Sequence, residues 1–142
     1  MKKIFLISVL VLIGFLFSIK NTNAQAGEIT ALCTKYLVPP FVSDGQQYKA
    51  LLNEDELAEF HATFYGGSTY RIIACSGMSD GNLLFSIYDK ERNLLFTNKD
   101  YDNSPYWDFK FTSTIDCIIE AELDSKNLTS GFALLMIGFK QQ

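Results

Sequence analysis

Between Tyr70 and Asp89 the chain reads YRIIACSGMSDGNLLFSIYD, two apolar-alternating runs around a Ser/Gly/Met/Asp/Asn turn. Successive side chains of a strand point to opposite faces, so a period of two marks a half-buried strand. The same period holds from Phe60 onward. Phe60, Ala62 and Phe64 oppose His61, Thr63 and Tyr65, and Tyr70, Ile72 and Ala74 oppose Arg71, Ile73 and Cys75. Leu83, Phe85 and Ile87 oppose Leu84, Ser86 and Tyr88. Trp107, Phe109 and Phe111 alternate with Asp108, Lys110 and Thr112, and Ile115 to Leu123 repeats the pattern. Ala133 to Phe139 is apolar on both faces apart from Gly138, as expected of a central strand covered on both sides. Seven or eight short strands with no helix-length periodic segment between them predict an all-β fold. The architecture expected is an antiparallel two-sheet β-sandwich, jelly-roll-like. With 12 Phe and 7 Tyr, at about 1.5–3 kcal/mol per large apolar side chain buried, the core needs no metal to hold it.

The start of the chain has a different character. Met1-Lys2-Lys3 is followed by an apolar run from Ile4 to Phe17, a polar Asn21-Thr22-Asn23, and small residues at Ala24 and Ala26. A basic start, an apolar middle and a small-residue exit describe a secretory signal peptide. A spanning helix wants about 20 apolar residues, more than this run supplies. Residues 1–26 are therefore read as a leader cut after Ala24 or Ala26, and 27–142 as one exported domain with no membrane span. Residues 27–45 form an N-terminal extension and 46–142 the core. Without Lys2, Lys3 and Lys20, nine basic residues face all 16 acidic ones. A nucleic-acid partner needs a basic footprint, so that class is excluded. The destination is the periplasm or the exterior.

Gly27 to Val38 fits either a helical face or a leading strand, through Ile29, Leu32, Tyr36 and Leu37. Pro39-Pro40 ends it, and Ser43-Asp44-Gly45 reads as a turn before a strand from Tyr48 to Leu52. Asn53-Glu54-Asp55-Glu56 has capping-box spacing, but the alternation after it favours an acidic turn between strands. Gly66-Gly67 reads as a hairpin turn. In an oxidising compartment, Cys33, Cys75 and Cys117 imply one disulfide and one leftover thiol. Cys75 and Cys117 both fall in predicted strands, which favours that pair, with Cys33 bonded to either as the alternative.

At Gly67-Ser68-Thr69-Tyr70-Arg71-Ile72 the chain resembles the Gly-x-x-Tyr-x-hydrophobic strand of the bacterial pre-peptidase C-terminal (PPC-like) domain. Leu83 to Asp89 resembles that family's apolar strand ending in Asp, and Asn98, Asp100 and Asp102 its Asn/Asp-rich loop. Phe109 and Phe111, then Thr114 to Ile119, then Gly131 to Ile137 resemble its later strands, with Ser113-Thr114-Ile115 where Gly-Thr-Tyr is usual. The leader is similar in style to those of secreted Bacteroidetes proteins. The resemblance implies a secreted jelly-roll-like sandwich of the kind appended to hydrolases, without catalytic residues of its own.

Three constellations carry the chemistry on offer. Asp100, Asp102 and Asn103 share one loop, and Asp89 joins them if its strand forms a hairpin with Leu94 to Asn98. Calcium takes six to eight oxygen ligands, so these four residues form a candidate calcium site. Tyr101, Tyr106 and Trp107 flank the same acids and amides, the composition of a surface that grips a sugar or a peptide. Trp107 begins a strand and is expected in the core, Tyr101 and Tyr106 at the surface. His61 is the only His, and no Gly-x-Ser-x-Gly elbow accompanies it, so a nucleophile–base–orienter set is not expected. Glu54, Asp55, Glu56 and Glu59, the carboxylates that glycoside cleavage would need, read as a solvated turn. The sequence thus points to a non-catalytic binding or accessory domain for a protein or glycan at the cell envelope. A carbohydrate-binding module is the alternative, and a small hydrolase or inhibitor comes after it.

Overall fold

The computed structural model describes residues 22–140. Most of the expected leader lies outside the described residues, while Ala24 and Ala26 fall within a helix, α1 (Thr22–Thr34). Among the described residues no helix is long and apolar enough to cross a membrane. Eight strands follow in two four-stranded sheets. The first sheet orders β1 (Val42–Asn53), β8 (Ser130–Lys140), β3 (Thr69–Cys75) and β6 (Tyr106–Lys110). The second orders β2 (Leu57–Phe64), β7 (Ile115–Leu123), β4 (Leu83–Asp89) and β5 (Leu94–Thr97). All pairings are antiparallel, so the fold is the expected all-β two-sheet sandwich.

Only β4 and β5, among consecutive strands, pair with each other. Gly66-Gly67 therefore closes no hairpin. It carries the chain across the sandwich, because β2 pairs with β7 whereas β3 pairs with β8 and β6. The inward faces follow the alternation residue by residue. Phe64, Ile72, Phe85, Ile87, Ile119 and Leu135 are all essentially inaccessible to solvent and pack into one cluster between the sheets.

β8 is covered on both sides, as its apolar run predicts. Ala133, Leu135 and Ile137 face the inter-sheet core. Leu134 and Met136 face outward, where they meet Ile29 and Cys33 of α1 together with Ile73 and Cys75. A disulfide joins Cys33 to Cys75, with Cα atoms 5.8 Å apart. The expected Cys75–Cys117 pair is thereby corrected. Cys75 belongs to the outer face of one sheet, while Cys117 points into the core from the other, and is a buried free thiol. The segment after α1 stays on the same outer face. There Leu37 lies so close to Gly138 that a Cβ at that position would collide with its methyl group.

β1 begins at Val42, ahead of the expected Tyr48, because Ser43-Asp44-Gly45 does not end the strand. It forms a bulge instead. The chain runs from Ser43 to Gln47 while its partner advances only from Gly138 to Met136. Gly45 takes φ +84° there, a conformation glycine adopts without strain. Ser43 Oγ and Asp44 Oδ1 accept from the amides of Gly45 and Gln46 at 3.0 and 2.8 Å. At the other end of β1, Glu56 Oε2 accepts from the Asn53 amide at 2.8 Å, which closes the acidic turn before β2.

Candidate functional site

β1 and β2 are the edge strands of their sheets and lie at the same side of the sandwich. They are long strands, 12 and 8 residues, against 4 and 5 for β5 and β6 at the opposite side. Between them opens a cleft of about 560 Å³. Its floor is apolar, from Phe64, Ile137 and Phe139, and its walls carry Tyr48, Tyr65, Tyr70, His61, Ser68 and Asp44. The β1 bulge supplies Asp44 and Gln46, and outward-facing positions of β2 supply His61 and Thr63. Tyr70 is anchored, its hydroxyl accepting from the Tyr65 amide at 3.0 Å, and Tyr65 is largely exposed. Burial pushes the Asp44 carboxyl above its usual range. Burial also raises the Tyr48 phenol, with the Asp44 charge adding to it.

His61 stands at the rim. Its Nε2 lies 3.1 Å from Glu59 Oε1, and its side chain is 70% exposed. No Ser or Thr hydroxyl bonds to it among the described residues, so the geometry is that of a surface contact between two polar side chains. Glu59 is held below the usual carboxylate range chiefly by its hydrogen bond from Arg92. Arg92 also reaches Glu120, 2.7 Å away on the neighbouring strand.

The three aromatic residues of the predicted ligand surface are divided. Tyr106 and Trp107 are consecutive in β6 and so point to opposite faces. Trp107 turns inward, 5.2 Å from Phe96 and 4.2 Å from Tyr101 between ring centroids. Tyr101 is 47% exposed and caps this stack. Tyr106 turns outward beneath the segment after α1, 5.0 Å from Tyr36. Its other neighbour is the Arg71 guanidinium, 4.5 Å from the ring.

The predicted calcium ligands are divided as well. Asp89 sits at the turn end of the β4–β5 hairpin, where its carboxylate accepts from the Asn93 amide and side chain, each at 2.8 Å. Asp100 and Asp102 lie at the other end, in and just after a 3₁₀ turn (Asn98–Tyr101). Asn103 turns away to donate to Asp124 Oδ2 at 3.2 Å. No group of three or more His, Cys, Asp or Glu that could hold a metal occurs among the described residues. The loop's buried polar residue is Asn98. Its Oδ1 accepts from the Phe85 amide at 2.8 Å, and its Nδ2 donates to the carbonyls of Leu83 and Ser104. Those bonds satisfy backbone groups that would otherwise be buried without partners.

The β1–β2 cleft escapes sequence reasoning because it depends on which edge strands face each other. The one available signal is the turn chemistry of Ser43-Asp44-Gly45 just ahead of a strand, which is also the chemistry of a bulge.

No family model matches the chain, and no curated protein is similar to it in sequence. Its fold is similar to that of PliG from Aeromonas hydrophila, a periplasmic lysozyme inhibitor of g-type lysozyme. The TM-score is 0.51 at 11% identity, over 67% of this chain and 85% of that one. The likeness is one of fold.

Proposed function

We propose that this chain is an exported, non-catalytic binding domain whose partner is a protein, engaged at the open β1–β2 edge of the sandwich. The observation that carries the reading is the cleft itself, wide, floored by apolar side chains and walled by tyrosines, between two long edge strands. Unpaired strand edges offer backbone donors and acceptors to an incoming chain, and tyrosines give rigid, amphipathic contact area. A fold shared with a periplasmic enzyme inhibitor supports a protein partner, since inhibition of that kind works by binding. The resemblance to the pre-peptidase C-terminal domain also supports an exported sandwich without catalytic residues.

Site-specific photo-crosslinking in the envelope tests this reading. A crosslinker at Tyr65, on the cleft rim, should give a discrete protein adduct that the same group at Glu91, in the β4–β5 turn, does not give. Equal or absent adducts at both positions would remove it. Turnover of ester, peptide or glycoside reporters that disappears in His61→Ala would replace it with an enzyme.

A second reading rests on the Tyr101–Trp107 stack. An exposed ring on an inward tryptophan is a platform on which a sugar can lie, with Tyr106 excluded from it. Glycan-array hits that vanish in Tyr101→Ala would favour this reading. Hits indifferent to that change would eliminate it.

A further inference from the structure

The cleft's chemistry specifies more than a protein partner. Its walls present the Asp44 carboxylate, the rings of Tyr48, Tyr65 and Tyr70, and the hydroxyl of Ser68, and no Lys or Arg lines it. Elsewhere on the strands most acids are matched, with Asp89 held by Asn93 instead. Asp108 pairs with Arg71, Glu59 and Glu120 with Arg92, Asp116 with Lys90, and Glu122 with Lys99. Asp44 meets no Lys or Arg among the described residues. It accepts instead from the Gln46 amide at 2.8 Å. The bulge that carries Asp44 also makes the cleft wall, so the carboxylate is fixed beside the rings by backbone geometry.

A carboxylate exposed at the mouth of an apolar-floored cleft, with aromatic faces next to it and no basic neighbour, is complementary to a cation. Guanidinium and ammonium groups are attracted both by the charge and by the ring faces. The acidic balance of the chain, 16 Asp and Glu against 12 Lys and Arg, steers a basic surface toward it. We propose that the β1–β2 cleft receives an arginine or lysine side chain carried on an extended loop of the partner protein, with Asp44 as the charge partner and Tyr48 and Tyr65 as the ring walls. This rests on the protein-binding reading above and names the chemistry that the partner presents.

The probe is a capped peptide, acetyl-Gly-Arg-Gly-amide, titrated into the isotope-labelled protein at low salt and followed by backbone amide shifts. The control peptide carries Gln in place of Arg. The expected result is saturable shifts centred on Gln46, Tyr48, His61 and Ser68 for the Arg peptide, with none for the Gln peptide. Asp44→Asn keeps the oxygen that holds the bulge but removes the charge, and should weaken binding by at least about tenfold. The proposal is overturned by equal shifts from both peptides, or by affinity indifferent to Asp44→Asn. Shifts spread over the charged outer face of β2 and β7 would also overturn it. So would the absence of saturable shifts at about 10 mM peptide, where a Kd near about 1 mM already shows. A Tyr65 crosslink that persists unchanged in Asp44→Asn would sink the cation and leave the protein partner standing. Loss of both would sink both.

Discussion

Arg71 of β3 ties its strand to β6 and to the segment after α1. Its Nε and Nη2 donate to the two carboxylate oxygens of Asp108 at 2.7 and 2.9 Å, and Nη1 donates to the Tyr36 carbonyl at 3.0 Å. Its guanidinium plane lies between the Phe41 and Tyr106 rings. Lysine offers a point charge without the planar fork. Arg71→Lys should therefore cost about 1–3 kcal/mol, seen as a lower urea midpoint at unchanged slope. Cys117 gives a chemical test of its environment. Burial, with the charges of Asp116 and Asp89 adding to it, pushes its thiol up to about 11. Only the thiolate reacts, so iodoacetamide at about pH 8 should leave the native protein unlabelled. One label should appear on unfolding without reductant, and mass spectrometry counts it. A label on the native protein would place Cys117 at the surface.

At the scale of elements, α1 is a cover fastened onto a sheet. It buries Ile29 and Cys33 against the outward residues of β3 and β8, and the bridge closes a loop of sequence separation 42. Removing such a bridge costs about 2–4 kcal/mol. The Cys33→Ser/Cys75→Ser double variant should melt earlier, and its amides between residues 26 and 37 should exchange faster than those of β7. Unchanged exchange would mean that packing alone holds the cover. The favoured Cys75–Cys117 pair failed, and the Cys33–Cys75 alternative held, for a definable reason. The alternation that puts Tyr70, Ile72 and Ala74 inward already sends Cys75 outward, and puts Cys117 inward with Ile115 and Ile119. Residues on opposite faces of different sheets cannot bond. What the sequence lacked was the covering element, because Ile29, Leu32, Tyr36 and Leu37 suit a helix or a strand equally well. The strands from Phe60 onward were legible because most alternate a wet and a dry face, and β8 because it is apolar on both. Separation of Tyr106 from Trp107 was legible too, since neighbours in a strand never share a face. β1 was foreshortened because bulge and turn use the same residues.

The whole molecule carries its charge as a lattice of exposed pairs. Glu59, Asp89 and Asp116 are held below the usual carboxylate range, chiefly by Arg92, the Asn93 side chain and the Thr63 hydroxyl respectively. A depressed acid stabilises the fold above its unfolded pKa, and that contribution is lost as pH falls through the folded value. Asp44, raised by burial, works in the opposite sense. With Asp80 also lowered, against desolvation, through hydrogen bonds from Tyr36 and Lys35, four depressed acids against one raised predict a melting temperature that falls on acidification through and below the ordinary carboxylate range. Glu59→Gln should make that fall shallower, and calorimetry across the acid limb checks it. The cleft, by contrast, was not legible at any scale below this one, because it exists only where β1 and β2 come to lie edge to edge.

The order of strands also governs when the domain can be built. β8 follows every other strand along the chain, yet it sits between β1 and β3. Until it emerges, β1 has no neighbour at all in its layer. Contacts between segments so distant in sequence make folding slow and concerted. A growing chain therefore cannot join β1 to the rest of its sheet until β8 has been made.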